Sequence, residues 1–324
     1  MGQNNFYVLD LLEIDASKKN LNLRCIAGKN GLDRIIKSKD INRPGLALSG
    51  FFDHFAYDRI QIIGKGEYLY IKKLIEEKNL ENIKKFMEYD IPCIIFTNNE
   101  EVPQELIKLA DSHNIPILVT TLSSVDIISA LFQILGEVFA LRTIMHGVLV
   151  EVFGIGILIK GKSGIGKSET ALELLERGHR LIADDTIEIK NYQDRDLIGR
   201  GTRIISHHME IRGIGIINVK HLFGVGAIRF EKKIQLVIEL EEWNPNHEYD
   251  RLGTEAKTID ILGIKVPYVL LPVMPGRNIP IIIETAAMNQ RLKMMGINSA
   301  KEFNKELTDY LESEEIKNTF FEIE

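Results

Sequence analysis

The chain has 324 residues, 45% hydrophobic and 27% charged, with a formal net charge of −6. This is the composition of a globular protein of about two domains with a sizeable core. An acidic balance with no basic stripe excludes a nucleic-acid binder, and the two cysteines, Cys25 and Cys93, read as reduced core thiols rather than a disulfide framework or metal site.

The opening MGQNNF carries no charged-then-apolar signal, and Phe6 lacks the hydroxyl a myristoylation motif needs. The longest apolar run, VLVEVFGIGILI, is short for a membrane span and is broken by Glu151. The expectation is a cytoplasmic protein that uses neither membrane nor nucleic acid.

Through residues 1–135, strand-like RIQIIG, IPCIIFT and IPILVTT alternate with helical stretches such as YLYIKKLIEEKNLENIKKFMEYD, predicting an open α/β sheet. IIGKGEY holds a Gly-Lys pair without phosphate-loop spacing and reads as a surface turn. SSVDIISALFQILGEVFALRTI predicts a long helix, starting near Ser123 or Ser124, that connects this domain to a second one over 136–324.

The second domain opens on the alternating HGVLVEVFG and the continuous apolar GIGILIKG, a half-exposed strand followed by a buried one. Next comes GKSGIGKSET. Gly161, Gly166, Lys167 and Ser168 fill G-x-x-x-x-G-K-[ST], with Lys162, Ser163, Gly164 and Ile165 as the variable positions. In this pattern backbone N–H groups wrap phosphates, the lysine reaches the β/γ oxygens and the serine hydroxyl ligates Mg2+. SETALELLERG supplies the helix that must follow, with Gly178 suited to end it.

HRLIADD predicts the next strand and puts Asp184 and Asp185 at its carboxyl end, beside the loop if the sheet is parallel. Neighbouring strand residues point opposite ways, so one carboxylate would face the reacting phosphoryl group and the other a supporting partner. Spacing alone does not say which. Two adjacent carboxylates also raise one another's proton affinity, which suits a base that must take a hydroxyl proton.

In HHMEIRGIGIIN, Glu210 is a second magnesium candidate and Arg212 a phosphate clamp, with glycines at 213 and 215 that permit close approach. His207 and His208 are adjacent, face opposite sides and read as structural. Arg251 in YDRLG and Arg277 in PVMPGRN sit in loop-like surroundings where a guanidinium can spread transition-state charge. Further strands are expected at IQLVIEL and VPYVLLPV. The tail is helical with a break near Gly296 and Asn298, and its last segment, EEIKNTFFEIE, is expected to fray or dock loosely.

Taken together, HGVLVEVFGIGILIKGKSGIGKSETALELLERGHRLIADD, MEIRGIGIIN, YDRLG and PVMPGRNIPIIIETAAMNQRLKMMG, with RPGLALSGFFDHFAYDRIQIIG in the first half, resemble the bifunctional HPr kinase/phosphorylase family nearly end to end. The fold class implied is α/β: an amino-terminal open α/β domain and a carboxy-terminal P-loop kinase domain. The resemblance implies ATP-dependent phosphorylation of a serine on the phosphocarrier protein HPr. It also implies removal of that phosphate by inorganic phosphate, releasing pyrophosphate. Matched by motif, His146, Lys167, Asp185 and Arg251 fall on catalytic positions, Gly161 to Ser168 on the nucleotide loop, and Ser168 with Glu210 on the magnesium ligands. Met209 to Asn218 match a segment needed in both directions, and Pro272 to Arg277 one associated with dephosphorylation. A homohexamer is implied as well.

Three rivals compete. A GTPase switch lacks its N-K-x-D motif, since NKEL at 304–307 ends in leucine. A non-catalytic nucleotide sensor is expected to have lost an acidic or basic catalytic residue, whereas this chain keeps the whole set. A plain ATPase would use LVIELEE as its metal-binding strand, and the usual aspartate is missing there.

Overall fold

The computed structural model describes residues 5–18, 21–202, 207–247, 249 and 257–321, the side chains of 18 and 312–321 excepted. The chain divides into two units, Met1–Phe139 and Ala140–Glu324.

The first unit runs β1 (Phe6–Tyr7), α1 (Val8–Lys18), β2 (Arg24–Ala27), β3 (Ile35–Ile36), β4 (Ile41–Asn42) and α2 (Gly45–Leu48). It continues with β5 (Ile60–Ile63), α3 (Lys65–Glu76), α4 (Glu81–Met87), β6 (Ile94–Phe96), α5 (Gln104–His113), β7 (Ile117–Val119) and α6 (Ser124–Val138). Five strands form one sheet in the order β2-β7-β6-β5-β4. β4 to β7 are parallel, with β2 antiparallel on the edge. Strands β5, β6 and β7 are buried at every position. Parallel strands covered on both faces require such continuous apolar runs. Cys93 is fully buried and its thiol is pushed up to about 12 by that burial; neither cysteine is in a disulfide.

Helix α6 starts where Ser123 Oγ accepts the Asp126 N–H at 3.3 Å, an N-cap. It stops at Val138, short of the expected LRTI, because Thr143 and Ile144 take strand pairing with Ile189 and Glu188 instead. Its buried stripe of Ile127, Leu131 and Leu135 packs in the first unit's own core. The helix is therefore part of that unit's packing.

The second unit has β8 (Arg142–Val152), β9 (Ile155–Gly161), α7 (Lys167–Glu176), β10 (Arg180–Tyr192), β11 (Asp196–Gly201), β12 (His208–Ile211), β13 (Gly215–Asn218) and α8 (Val219–Phe223). Then follow β14 (Glu231–Lys233), β15 (Leu236–Glu242), β16 (Thr258–Ile261), β17 (Ile264–Val273), α9 (Ile279–Met294) and α10 (Ser299–Phe321). The break expected near Gly296 and Asn298 separates the last two helices. The segment expected to fray is helical through Phe321.

Eight strands make one mixed sheet, β14-β11-β10-β8-β9-β15-β17-β16. β8 and β9 form a hairpin through Phe153 and Gly154, both left-handed (φ 48° and 84°), as a type I′ turn needs. Period-2 alternation sends Val148, Val150 and Val152 to a core shared with α7 and α9, and Leu149 to a second core on the opposite face. The one charge in that apolar run, Glu151, is buried but meets Arg229 at 2.6 Å, Lys232 at 2.7 Å and Arg180 at 3.5 Å. Burial opposes its ionisation, and the three cations outweigh that and hold the carboxyl below its usual range.

Candidate active site

The phosphate loop links β9 to α7. Gly161 leaves the sheet with φ 144°, and a Cβ there would lie 2.6 Å from the Leu240 carbonyl oxygen of β15, so only glycine fits. Lys167 opens α7, and its ammonium donates to the carbonyls of Gly161 (3.1 Å) and Lys162 (2.9 Å), folded over the loop. Ala171, Leu174 and Leu175 anchor the same helix in the core. The helix N-terminus and its free N–H groups are thereby fixed where an anion would bind.

The aspartates do not end a strand. β10 runs on for seven residues past Asp185, to Tyr192. β8 lies between β10 and β9 and is antiparallel to both, so β10 points the same way as β9 without touching it. Asp184 pairs with Val148, and Val148 with Ile159. The aspartates therefore sit level with the end of β9, at the mouth of the loop, although they lie mid-strand. Asp185 keeps its pairing with Gly147 but has φ 66°, a left-handed conformation that Asp tolerates better than most residues.

The two carboxylates have different surroundings. Asp184 is 7% exposed and accepts from two donors. The Ser168 hydroxyl lies 3.0 Å from one carboxylate oxygen and 3.2 Å from the other, and the Glu210 backbone N–H donates at 3.2 Å. Burial raises its pKa above the ordinary aspartate range; the Ser168 and Glu210 hydrogen bonds partly offset this, and Asp185 adds to it. Asp185 is exposed. Its carboxylate lies 3.6 Å from Nδ1 of His146 on β8, and both side chains are largely in solvent.

The hairpin β12–β13 closes one side. Met209 and Ile211 are buried in the core, so Glu210 and Arg212 face outward. The Arg212 guanidinium lies over the loop. Its Nη2 donates to Ser163 Oγ at 3.4 Å, and a Cβ on Gly164 would fall 2.7 Å from its Nη1. Sequence spacing does not signal this contact. His207 instead packs edge-on against Phe230 (5.3 Å), its Nδ1 without a partner among the described residues, and burial lowers its pKa. His208 meets the Asn218 side chain at 3.2 Å.

Arg277 follows β17 at the same sheet edge. Its Nη1 donates to the Pro272 carbonyl at 3.1 Å and its N–H to Met274 at 3.2 Å, which stiffens the PGR turn. Arg251 lies outside the described residues. Among the expected site residues, the structure thus joins Lys167 to the loop carbonyls, Ser168 and Glu210 to Asp184, and His146 to Asp185. The Arg277 contacts are within its own turn.

A glycine phosphate loop on a mixed sheet, with a buried carboxylate on its serine and an exposed one beside it, defines a phosphate-loop domain of the nucleotide-using class. Residues 10–135 match the model of the HPr Serine kinase N terminus, and 137–307 that of the HPr Serine kinase C-terminal domain. The chain belongs to the HPr serine kinase family. It is 54% identical over 305 residues to an HPr kinase/phosphorylase of Treponema pallidum (strain Nichols), covering 94% of each chain. It is 52% identical over 300 residues to one of Leptospira biflexa, covering 92% of this chain and 93% of that one. A solved structure of the Hpr(Ser) kinase/phosphatase from Coxiella burnetii matches with 40% identity, 50% of this chain, 98% of that chain and a TM-score of 0.46. No described helix is long and apolar enough to cross a membrane.

Proposed function

We propose that this chain phosphorylates a seryl hydroxyl of HPr from ATP and reverses the reaction with inorganic phosphate, giving pyrophosphate. The observation that carries the reading is the division of labour between the two aspartates, one buried on Ser168 and the other exposed at the loop mouth. Loop amides and Lys167 hold the β/γ phosphates, and the serine enters in line. Its oxygen bonds to the γ-phosphorus, the bond to the β-bridging oxygen breaks, and Asp185 takes the hydroxyl proton. His146, 3.6 Å away, orients that carboxylate. In reverse, a phosphate oxygen attacks the phosphoserine phosphorus. The departing seryl oxygen takes the proton from Asp185, and pyrophosphate remains. Phosphoryl transfer asks for position and charge, so one site serves both directions.

Ser168 and Glu210 are the proposed magnesium ligands, with Asp184 behind the serine. A hydroxyl and carboxylates, with no thiol or imidazole among them, suit a hard cation that keeps most of its shell for water and phosphate. Bound magnesium would neutralise charge on the β/γ oxygens. Arg251, on the family resemblance, and Arg277 would spread the remaining charge.

The first domain, about 1–135, is proposed to be regulatory, and 136–324 to carry the chemistry. A homohexamer in the cytoplasm completes the reading. Apolar side chains exposed on the second unit, Ile214, Ile216 and Phe230 at 74–77%, support an assembly or docking face. Labelled ATP with and without HPr, then phospho-HPr with phosphate, tests the reading. Label should enter HPr only with enzyme present, and phosphate should return it as pyrophosphate. Phosphate release from ATP that is indifferent to HPr would make the chain a plain ATPase.

A further inference from the structure

The chain's single tryptophan, Trp243, lies just beyond the end of β15 and is 45% exposed. Its ring stacks on Tyr249, with centroids 4.9 Å apart and planes 19° apart, and Tyr249 stacks in turn on His247 at 4.8 Å and 24°. The stack is pinned. The Tyr249 hydroxyl donates to Glu241 Oε1 at 2.8 Å and accepts the Asn244 backbone N–H at 3.1 Å, and the Trp243 backbone N–H donates to the Val273 carbonyl at 3.1 Å. A large aromatic stacked on a partner and still 45% exposed needs a reason, since tryptophan is ordinarily well covered.

Its position gives one. β15 is parallel to β9, and Leu240 pairs with Gly161, the first residue of the phosphate loop. Trp243 is three residues further on, about 10 Å beyond that level at the strand rise. This is the same carboxyl edge, at a separation that an extended nucleoside triphosphate spans between its phosphates and its base. The local charge sorts the two ends of such a ligand. Glu241 meets the stack through Tyr249 and His247, and burial, with the charges of Glu239 and Glu241, pushes the neighbouring Tyr268 phenol up to about 12. Phosphates are repelled there and attracted to Lys167. A neutral base is not repelled, and its amino group can donate to a carboxylate.

We infer that the Trp243–Tyr249 stack is the nucleobase subsite of this phosphate loop, with the base lying against the exposed part of Trp243. The inference rests on the proposed use of ATP and adds which residues read the base. Base–aromatic stacking tolerates many bases, since each has a π face, so this subsite should strengthen binding more than it selects.

The test compares ATP with inorganic tripolyphosphate, both with magnesium, by calorimetry on the full chain. If the wild-type protein binds no ATP, the functional reading fails. If it does, the variants test the subsite. Trp243→Leu should weaken ATP about tenfold, the size of one base–aromatic stack, and change tripolyphosphate affinity by less than about twofold. Trp243→Phe should keep most of the ATP affinity. An equal loss for both ligands would mean that Trp243 only supports the loop. No loss for either would place the base elsewhere. Either result overturns the inference.

Discussion

Ser168 Oγ lies 3.0 Å from Asp184 Oδ1, so a single hydroxyl joins the phosphate loop to the aspartate strand. A buried carboxylate with a raised pKa is a liability to the free protein and an asset to a cation. In sign terms, a folded pKa above the unfolded value of about 3.8 makes a contribution fully present below that value, and it is lost as pH rises through the folded pKa. Asp184→Asn should therefore be more stable than wild type at pH 7, with the advantage shrinking towards acid pH, and should lose kinase activity. Thermal melts of both proteins across pH check this. A less stable variant at pH 7 would show that the bonds from Ser168 and Glu210 outweigh the burial penalty.

Lys167→Ala should abolish both phosphorylation and phosphorolysis, because both need a phosphate group held over one loop. The ammonium that now donates to Gly161 and Lys162 is the one expected to turn to phosphate. Initial rates in the two directions decide it; a variant keeping full phosphorolysis would break the single-site account.

Asp185→Asn should lower turnover by roughly 10²–10⁴, the usual share of a general base, with nucleotide binding retained. Asparagine tolerates the φ of 66° found here, so the change removes a charge and leaves the backbone in place. Single-turnover kinetics with a separate binding titration are the check. Near-normal turnover would take the base role away from Asp185.

Arg277→Ala should damage phosphorolysis more than phosphorylation. The forward reaction brings in a neutral serine, whereas the reverse brings together a phosphoserine and a free phosphate, two anions that repel. A guanidinium in the stiff turn between Pro272 and Asn278 can screen them without altering how ATP is held. Both initial rates, from one preparation at saturating substrate, settle the point. Equal losses would reduce Arg277 to a support for its turn through the Pro272 carbonyl.

Much of the site is legible in GKSGIGKSET and ADD, since loop, helix start and flanking strand are encoded within a short window. Spacing also separates Asp184 from Asp185, because strand residues alternate between faces; the structure adds that the buried one is Asp184. The expectation of aspartates at a strand end missed the run of β10 to Tyr192. That extension is set by its pairing with β8 and β11, which are far away in sequence.

The sequence by itself determined the local pieces: the buried runs of β5, β6 and β7, the start of α6 near Ser123 or Ser124, the glycines of the loop and the charge at Glu151. Each follows from the conformation or burial preference of residues within one or two turns of chain. The tertiary structure alone decided that β8 comes between β10 and β9, that Arg212 crosses to Gly164, and that Trp243 stands at the same edge as Lys167. Those relations depend on which distant strand satisfies each backbone hydrogen bond and which face is covered, and no local window contains both partners.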